Sequence, residues 1–200
     1  MNRIITVGCS YTYGHGLSDC IDSKSNGPGP YPSKLGYAQI VADHLGRSLI
    51  NLAQCGIGDK QIMNIVDNIL FDPDDICLIQ WSHNDRHCII NKQETVAFGP
   101  WMDNKITKTY YKSIHNENDA TVMRDVYINY INLKLQSLGI VTYNTLPINA
   151  HLCDLNINQS VKMSSKNLQY FRVDRALDNS HPGEKSNQLF AEYLIEEYFK

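Results

Sequence analysis

Ile4-Ile5-Thr6-Val7-Gly8-Cys9-Ser10-Tyr11-Thr12-Tyr13-Gly14 is the stretch that organises the rest of the chain. The apolar run Ile4–Val7 reads as a short buried strand. Two glycines, a small residue and a serine follow where that strand must turn. In an open α/β sheet, ligands and reactive groups collect at the carboxyl ends of strands. A serine at such a turn can project its hydroxyl into a crevice. Taken alone the signal is weak, because turn serines usually cap helices. It gains weight only if a base and a set of anion-stabilising donors lie elsewhere in the chain.

Outward from this turn, strand-like and helix-like segments alternate, which predicts an α/β fold with a parallel sheet and helices on both faces. Gly36–Leu45 reads as an amphipathic helix stopped by Gly46, and Ser48–Leu52 as a second strand. A glycine-bearing turn over Gln54–Gly58 precedes a helix from about Asp59 to Phe71, with Ile62, Ile65, Val66, Ile69 and Leu70 on one stripe. Ile76–Trp81 is the clearest buried strand. Residues 90–120 are polar and lack clean periodicity, so they read as an insertion or lid. Met123–Leu138 predicts a long helix with Met123, Val126, Tyr127, Tyr130, Ile131 and Leu138 inward. Ile140–Asn144 is a further strand, and residues 147–177 read as irregular. Glu184–Phe199 is the last helix, with Leu189, Phe190, Tyr193, Leu194 and Tyr198 inward. No repeat or linker divides the chain, so one domain over residues 1–200 is expected.

Composition narrows the classes. The chain has 200 residues, 42% hydrophobic and 20% charged, the balance of an ordinary globule. A net charge of −3 and a pI near 6.1 give no basic field for nucleic acid or anionic membrane. No run approaches the roughly 18 apolar residues of a membrane span, and Met1–Thr6 lacks a signal-peptide core. A soluble, cytoplasmic protein is the expectation. Cys9, Cys20, Cys55, Cys77, Cys88 and Cys153 form no Cys-x-x-Cys pair, which predicts reduced thiols and no zinc site.

Asp178-Asn179-Ser180-His181-Pro182 supplies the base that Ser10 needs. Asp and His three residues apart can converge on one turn, the carboxylate holding the imidazole in the tautomer that accepts a proton. Pro182 reads as the first residue of the last helix, which puts His181 at the positive end of its dipole and favours a neutral ring. The N–H groups of Ser10 and Gly56 and the side-chain amide of Asn84 are candidates for an oxyanion hole. His83 and Trp101 are the candidate substrate contacts. Trp101, Tyr110 and Tyr111 otherwise read as anchors of a long loop. His83 and His87 lack a third metal ligand, and Gly14-His15-Gly16 lacks the Lys-Ser/Thr of a phosphate-binding loop.

These blocks together resemble the SGNH hydrolase superfamily, the GDSL-like esterases and lipases. Gly8-Cys9-Ser10 through Gly14 is similar to the first block, Asn51-Leu52-Ala53-Gln54-Cys55-Gly56 to the second, and Ser82-His83-Asn84-Asp85 to the third. Asp178-x-x-His181-Pro182 is similar to the last. The order is the family's, and the blocks span nearly the whole chain. Cys9 stands where Asp is usual and Ser82 where Gly is usual; neither removes a group from the proton relay. The resemblance implies a three-layer α/β/α sandwich with a mainly parallel, flavodoxin-like sheet. It implies Ser10 as nucleophile, His181 as base, Asp178 as its partner, and Ser10, Gly56 and Asn84 as oxyanion donors. It implies no metal or organic cofactor. The expected activity is hydrolysis of short acyl esters, acetyl groups on carbohydrate leading, with a small acylated molecule as partner. The rival reading is a non-catalytic flavodoxin-like module that binds a glycan, phosphate or flavin.

Overall fold

Four strands form one parallel sheet: β1 (Arg3–Val7), β2 (Ser48–Asn51), β3 (Ile76–Gln80) and β6 (Val141–Thr145). The computed structural model describes residues 2–90, 95–146, 158 and 160–200. Strand order is β2-β1-β3-β6. Thr6 pairs with Asn51, Val7 with Ile79, and Gln80 with Thr145, so the carboxyl ends of all four strands share one edge. The chain leaves β1 for β2 on one side and returns to β3 on the other. That reversal makes the edge beside β1 the topological switch point, where an open sheet leaves a crevice.

Helices cover both faces. On one face α2 (Tyr37–His44) and α6 (Glu184–Tyr198) bury Tyr37, Val41, Phe190, Ala191 and Leu194 against Ile4, Leu78 and Tyr143. On the other, α3 (Asp59–Asp67) and α5 (Glu117–Ser137) bury Ile62, Val66, Ile128, Ile131 and Leu135 against Val7, Cys77 and Ile79. Every residue of β3 is buried, as a central parallel strand requires. The three-layer architecture read from the sequence is the one observed.

Several local readings change. The stretch expected as an insertion or lid includes β5 (Thr95–Phe98), paired antiparallel with β4 (His87–Ile90), then α4 (Lys105–Ser113) and the first turn of α5. Helix α3 ends at Asp67 with Asn68 as its cap, well short of Phe71, and Leu70 is 91% exposed. Helix α5 is rotated from the predicted face: Met123, Val126, Tyr130 and Leu138 are exposed, while Arg124, Ile128, Ile131 and Leu135 are inward. The reason is that the inner stripe begins with a charged residue, Arg124, whose charge acts on the buried carboxyl of Asp59. Hydrophobicity alone therefore slides the stripe round the helix. Pro182 does not begin α6 either: Gly183 is the cap and Glu184 the first helical residue.

Cys9, Cys20, Cys55, Cys77 and Cys88 are free thiols, and Cys153 lies outside the described residues. Among the described residues no helix is long and apolar enough to cross a membrane.

The face of α5 gives a direct test. Ile128→Ala should cost about 2–5 kcal/mol in urea unfolding, as for a fully buried branched side chain. Val126→Ala, half exposed, should stay within about 0.5 kcal/mol. The reverse order would place the face where hydrophobicity alone puts it.

Candidate active site

Ser10 is the first residue of α1 (Ser10–Tyr13), a single turn that starts where β1 stops. Its side of the turn is fixed by buried polar contacts. Thr12 Oγ1 donates to Gln80 Oε1 at 2.7 Å and lies 2.9 Å from the Tyr37 hydroxyl. Asn51 Nδ2 donates to the Thr12 carbonyl at 2.9 Å. Strand ends β1, β2 and β3 are thus tied to the serine turn. The Gln54 N–H donates to the Gly8 carbonyl at 3.1 Å, which draws the Gly56 turn alongside. Gly56 has φ +82°, a left-handed conformation that favours glycine.

His181 arrives from the far end of the chain. Its Nε2 lies 2.9 Å from Ser10 Oγ. Its Nδ1 contacts Asp178 Oδ2, and its backbone N–H donates to Asp178 Oδ1 at 3.1 Å. Ser180 adds its N–H at 3.1 Å and its hydroxyl at 2.8 Å to the same carboxylate. Asn179, at φ +60°, makes the turn that lets four donors reach one carboxylate, a conformation that Asn tolerates. The Asp178 side chain is only 6% exposed. Burial opposes its ionisation, but the hydrogen bonds from His181 and Ser180 more than offset this and hold it well below the usual carboxylate range.

An ionised Asp178 accepts a hydrogen bond from Nδ1–H and leaves the Nε2 lone pair for Ser10. Burial lowers the His181 pKa below its ordinary value, and the Asp178 contact partly restores it. The neutral ring thus comes from burial. His181 does not sit at the helix end itself, because Pro182 and the cap Gly183 stand between it and the first residue of α6.

In the sequence His15 reads only as the middle of a Gly-His-Gly turn, with no place in the site. Its ring centroid is 4.6 Å from that of His181, and Tyr11 meets His181 edge-on at 5.5 Å. Gly16 follows at φ +87°; a Cβ there would sit 2.7 Å from the Asp178 carboxyl carbon. That glycine is what lets the first loop pack on the acid–base turn. Among the described residues, His15, Asp178 and His181 alone cluster as metal-ligand types. Both ring nitrogens of His181 already face Asp178 and Ser10, so the set offers no unspent imidazole from His181.

A cleft of about 400 Å³ opens over Ser10 and His181. Gly56 and Cys55 wall one side, Ala97, Trp101 and Met102 from β5 and the loop after it another, and Arg86 and His15 also border it. Trp101 is 55% exposed. Ser10, Gly56, Asp178, His181 and Trp101 are therefore brought together as expected from sequence. His83 and Asn84 are not among the lining residues. Asn84 Nδ2 donates to Thr121 Oγ1 on α5 at 3.0 Å, and Asn84 borders a second cavity, of about 220 Å³. The physical reason lies in the turn after β3: the Ser82 N–H is held by Asp59 Oδ1 at 2.6 Å and its hydroxyl by the Ile57 carbonyl at 2.7 Å. Beyond this held residue, Asn84 reaches Thr121 on α5, and Arg86 borders both the cleft and the second cavity.

No protein-family model and no curated protein sequence matches the chain. Solved structures do. A lipolytic protein of the G-D-S-L family from Desulfitobacterium hafniense superposes with a TM-score of 0.60 at 9% identity, over 97% of this chain and 98% of its own. The chain has the fold of the G-D-S-L hydrolases. An acetyl xylan esterase, Est2A, from Butyrivibrio proteoclasticus gives 0.60 at 12% identity, over 98% of this chain and 64% of its own. A carbohydrate esterase gives 0.62 at 13% identity, with 98% and 67% covered. The chain thus spans about two thirds of the length of the two carbohydrate-active structures and nearly all of the lipolytic one.

If His181 accepts a proton from Ser10, protonating it first must stop the reaction. Its lowered pKa places the acid limb of kcat/KM below about pH 6.5, with a plateau through neutrality. Asp178→Asn removes the charge that favours the imidazolium. The limb should then move to still lower pH, while the plateau rate falls by about 10³–10⁴. A limb that moved upward would contradict the assignment.

Proposed function

We propose that this protein is a serine esterase that hydrolyses short acyl esters through an acyl-Ser10 intermediate. The observation that carries the reading is the continuous line from Ser10 Oγ to His181 to Asp178 at the mouth of a cleft over the switch point. In the first step His181 Nε2 takes the hydroxyl proton as Ser10 Oγ bonds to the ester carbonyl carbon. The displaced electron pair moves onto the carbonyl oxygen. As the first residue of α1, Ser10 has an N–H with no intrahelical partner, and with the Gly56 N–H it receives that charge. Collapse breaks the bond to the alcohol, which leaves with the proton from His181. Water then gives a proton to His181 and attacks the acyl carbon, and Ser10 recovers its proton as the carboxylic acid departs.

For the substrate we favour acetyl groups on carbohydrate. The cleft, of about 400 Å³, suits a small acyl group with part of a sugar. The exposed Trp101 ring at its rim offers a stacking face. Solved structures with this fold include an acetyl xylan esterase and a carbohydrate esterase.

The test is hydrolysis of p-nitrophenyl acetate and of acetylated xylo-oligosaccharides. Ser10→Ala and His181→Ala should each lower kcat by about 10³ or more with little change in melting temperature. A Ser10→Ala protein that keeps the original rate overturns the mechanism. Trp101→Ala should raise KM for the acetylated sugar several-fold more than for the nitrophenyl ester; equal effects would remove the stacking role.

A further inference from the structure

The resemblance assigns the third oxyanion donor to Asn84, whose Nδ2 gives one of its two protons to Thr121 Oγ1 and which borders another cavity. The cleft over Ser10 is bordered instead by Arg86, two residues further on. We propose that Arg86 supplies the third, cationic donor to the oxyanion; this rests on the serine-esterase reading and deepens it.

Three observations support the assignment. The first is position. The Arg86 guanidinium carbon lies 5.1 Å from the Trp101 ring centroid, and Trp101 Cζ2 lies 3.7 Å from where a Gly56 Cβ would sit. Arg86, Trp101 and Gly56 therefore form one wall facing Ser10 and His181. The second is availability. Arg86 Nη1 donates to Ser82 Oγ at 3.3 Å, but Nε is buried with no hydrogen-bond partner among the described residues. No carboxylate forms an ion pair with Arg86 among the described residues, although it borders the second cavity as well. Nε itself is closed to the cleft, so what the side chain offers there is a cation that no carboxylate of the described residues neutralises. The third is fixation. The Arg86 N–H donates to the His83 carbonyl at 3.1 Å, and the backbone rests on Gly58, where a Cβ would come within 2.4 Å of the Arg86 carbonyl oxygen. The guanidinium thus hangs from an anchored backbone, as preorganised stabilisation requires.

The chemistry follows from charge. The ester in its ground state presents a neutral carbonyl, which draws a guanidinium only weakly. As Ser10 Oγ adds and its proton passes to His181, a full negative charge collects on that oxygen. Arg86 then gains an attraction absent before, which lowers the barrier without tightening substrate binding. Arg86 neither gains nor loses a proton, so the balance of the step is unchanged.

Kinetics of p-nitrophenyl acetate hydrolysis separate the assignments, with Ser10→Ala as the reference for the underlying reading. Arg86→Ala should lower kcat about 10²–10³-fold with KM within a few-fold. The loss should exceed that of Asn84→Ala at least about tenfold. Arg86→Lys should recover part of kcat, and millimolar guanidinium should partly rescue Arg86→Ala. Because Arg86→Ala could disturb the turn, the rate of Ser10 phosphorylation by diethyl p-nitrophenyl phosphate is followed alongside, with melting temperature as a check on folding. A larger kcat loss in Asn84→Ala than in Arg86→Ala overturns the proposal. So does an Arg86→Ala effect confined to KM, which would make the arginine a substrate clamp. Retention of activity by Ser10→Ala defeats the esterase reading itself, whatever Arg86 does.

Discussion

The 2.9 Å contact between Ser10 Oγ and His181 Nε2 joins the turn after β1 to the loop before α6, and the structure around it is arranged to hold those two atoms together. Neither turn could do so alone. The serine turn is pinned from beneath by Thr12, Asn51 and Gln80, each from a different strand end or the turn itself. The histidine turn is pinned to the loop after α1 and across its own base: the Leu177 N–H donates to the Gly16 carbonyl at 2.8 Å, and the Ala176 N–H to the His181 carbonyl at 2.9 Å. The parallel register of β1 with β2 and β3 brings these anchors to one edge.

Electrostatically the site separates a fixed anion from a fixed cation. Asp178 is ionised and fully hydrogen-bonded behind His181, and Arg86 stands on the cleft side. The imidazole between them is kept neutral by burial, with Asp178 pulling its pKa up and Arg86 and His15 pushing it down. A neutral ring between opposite charges can accept a proton because the carboxylate stabilises the product, while the cation discourages premature protonation. Nearby Asp59 has its pKa pushed up to about 7, chiefly by burial. Its folded-state pKa is thus above the unfolded value near 4, so this group makes stability fall as pH rises from about 4 to about 7.

What was legible in the sequence follows from range. β1, β3 and α6 carry dense apolar patterns, and tertiary packing agrees with them. Ser10, Gly56, Asp178 and His181 were readable because each sits at a strand end or in a short local turn whose chemistry is visible in a few residues. The face of α5 was not readable, because Arg124 occupies an inward position that hydrophobic patterning assigns to solvent. Nor was the place of Arg86 at the cleft, which the third block's spacing does not encode. His15 gave only a Gly-His-Gly turn. Its place beside His181 depends on where residue 181 returns, and no local pattern encodes that.

Ser10 and His181 are 171 positions apart, whereas the Asp178–His181 pair spans three. A polypeptide emerging from a ribosome can therefore pair β1, β2, β3 and β6 while Ser10 still lacks a proton acceptor. The acid–base pair can form within its own turn but has nothing to act on until α6 docks against α2. The Ser10–His181 contact is thus absent until the last layer of the sandwich closes. A chain that stopped before the Asp178 turn would still contain all four strands of the sheet and would lack both partners of Ser10.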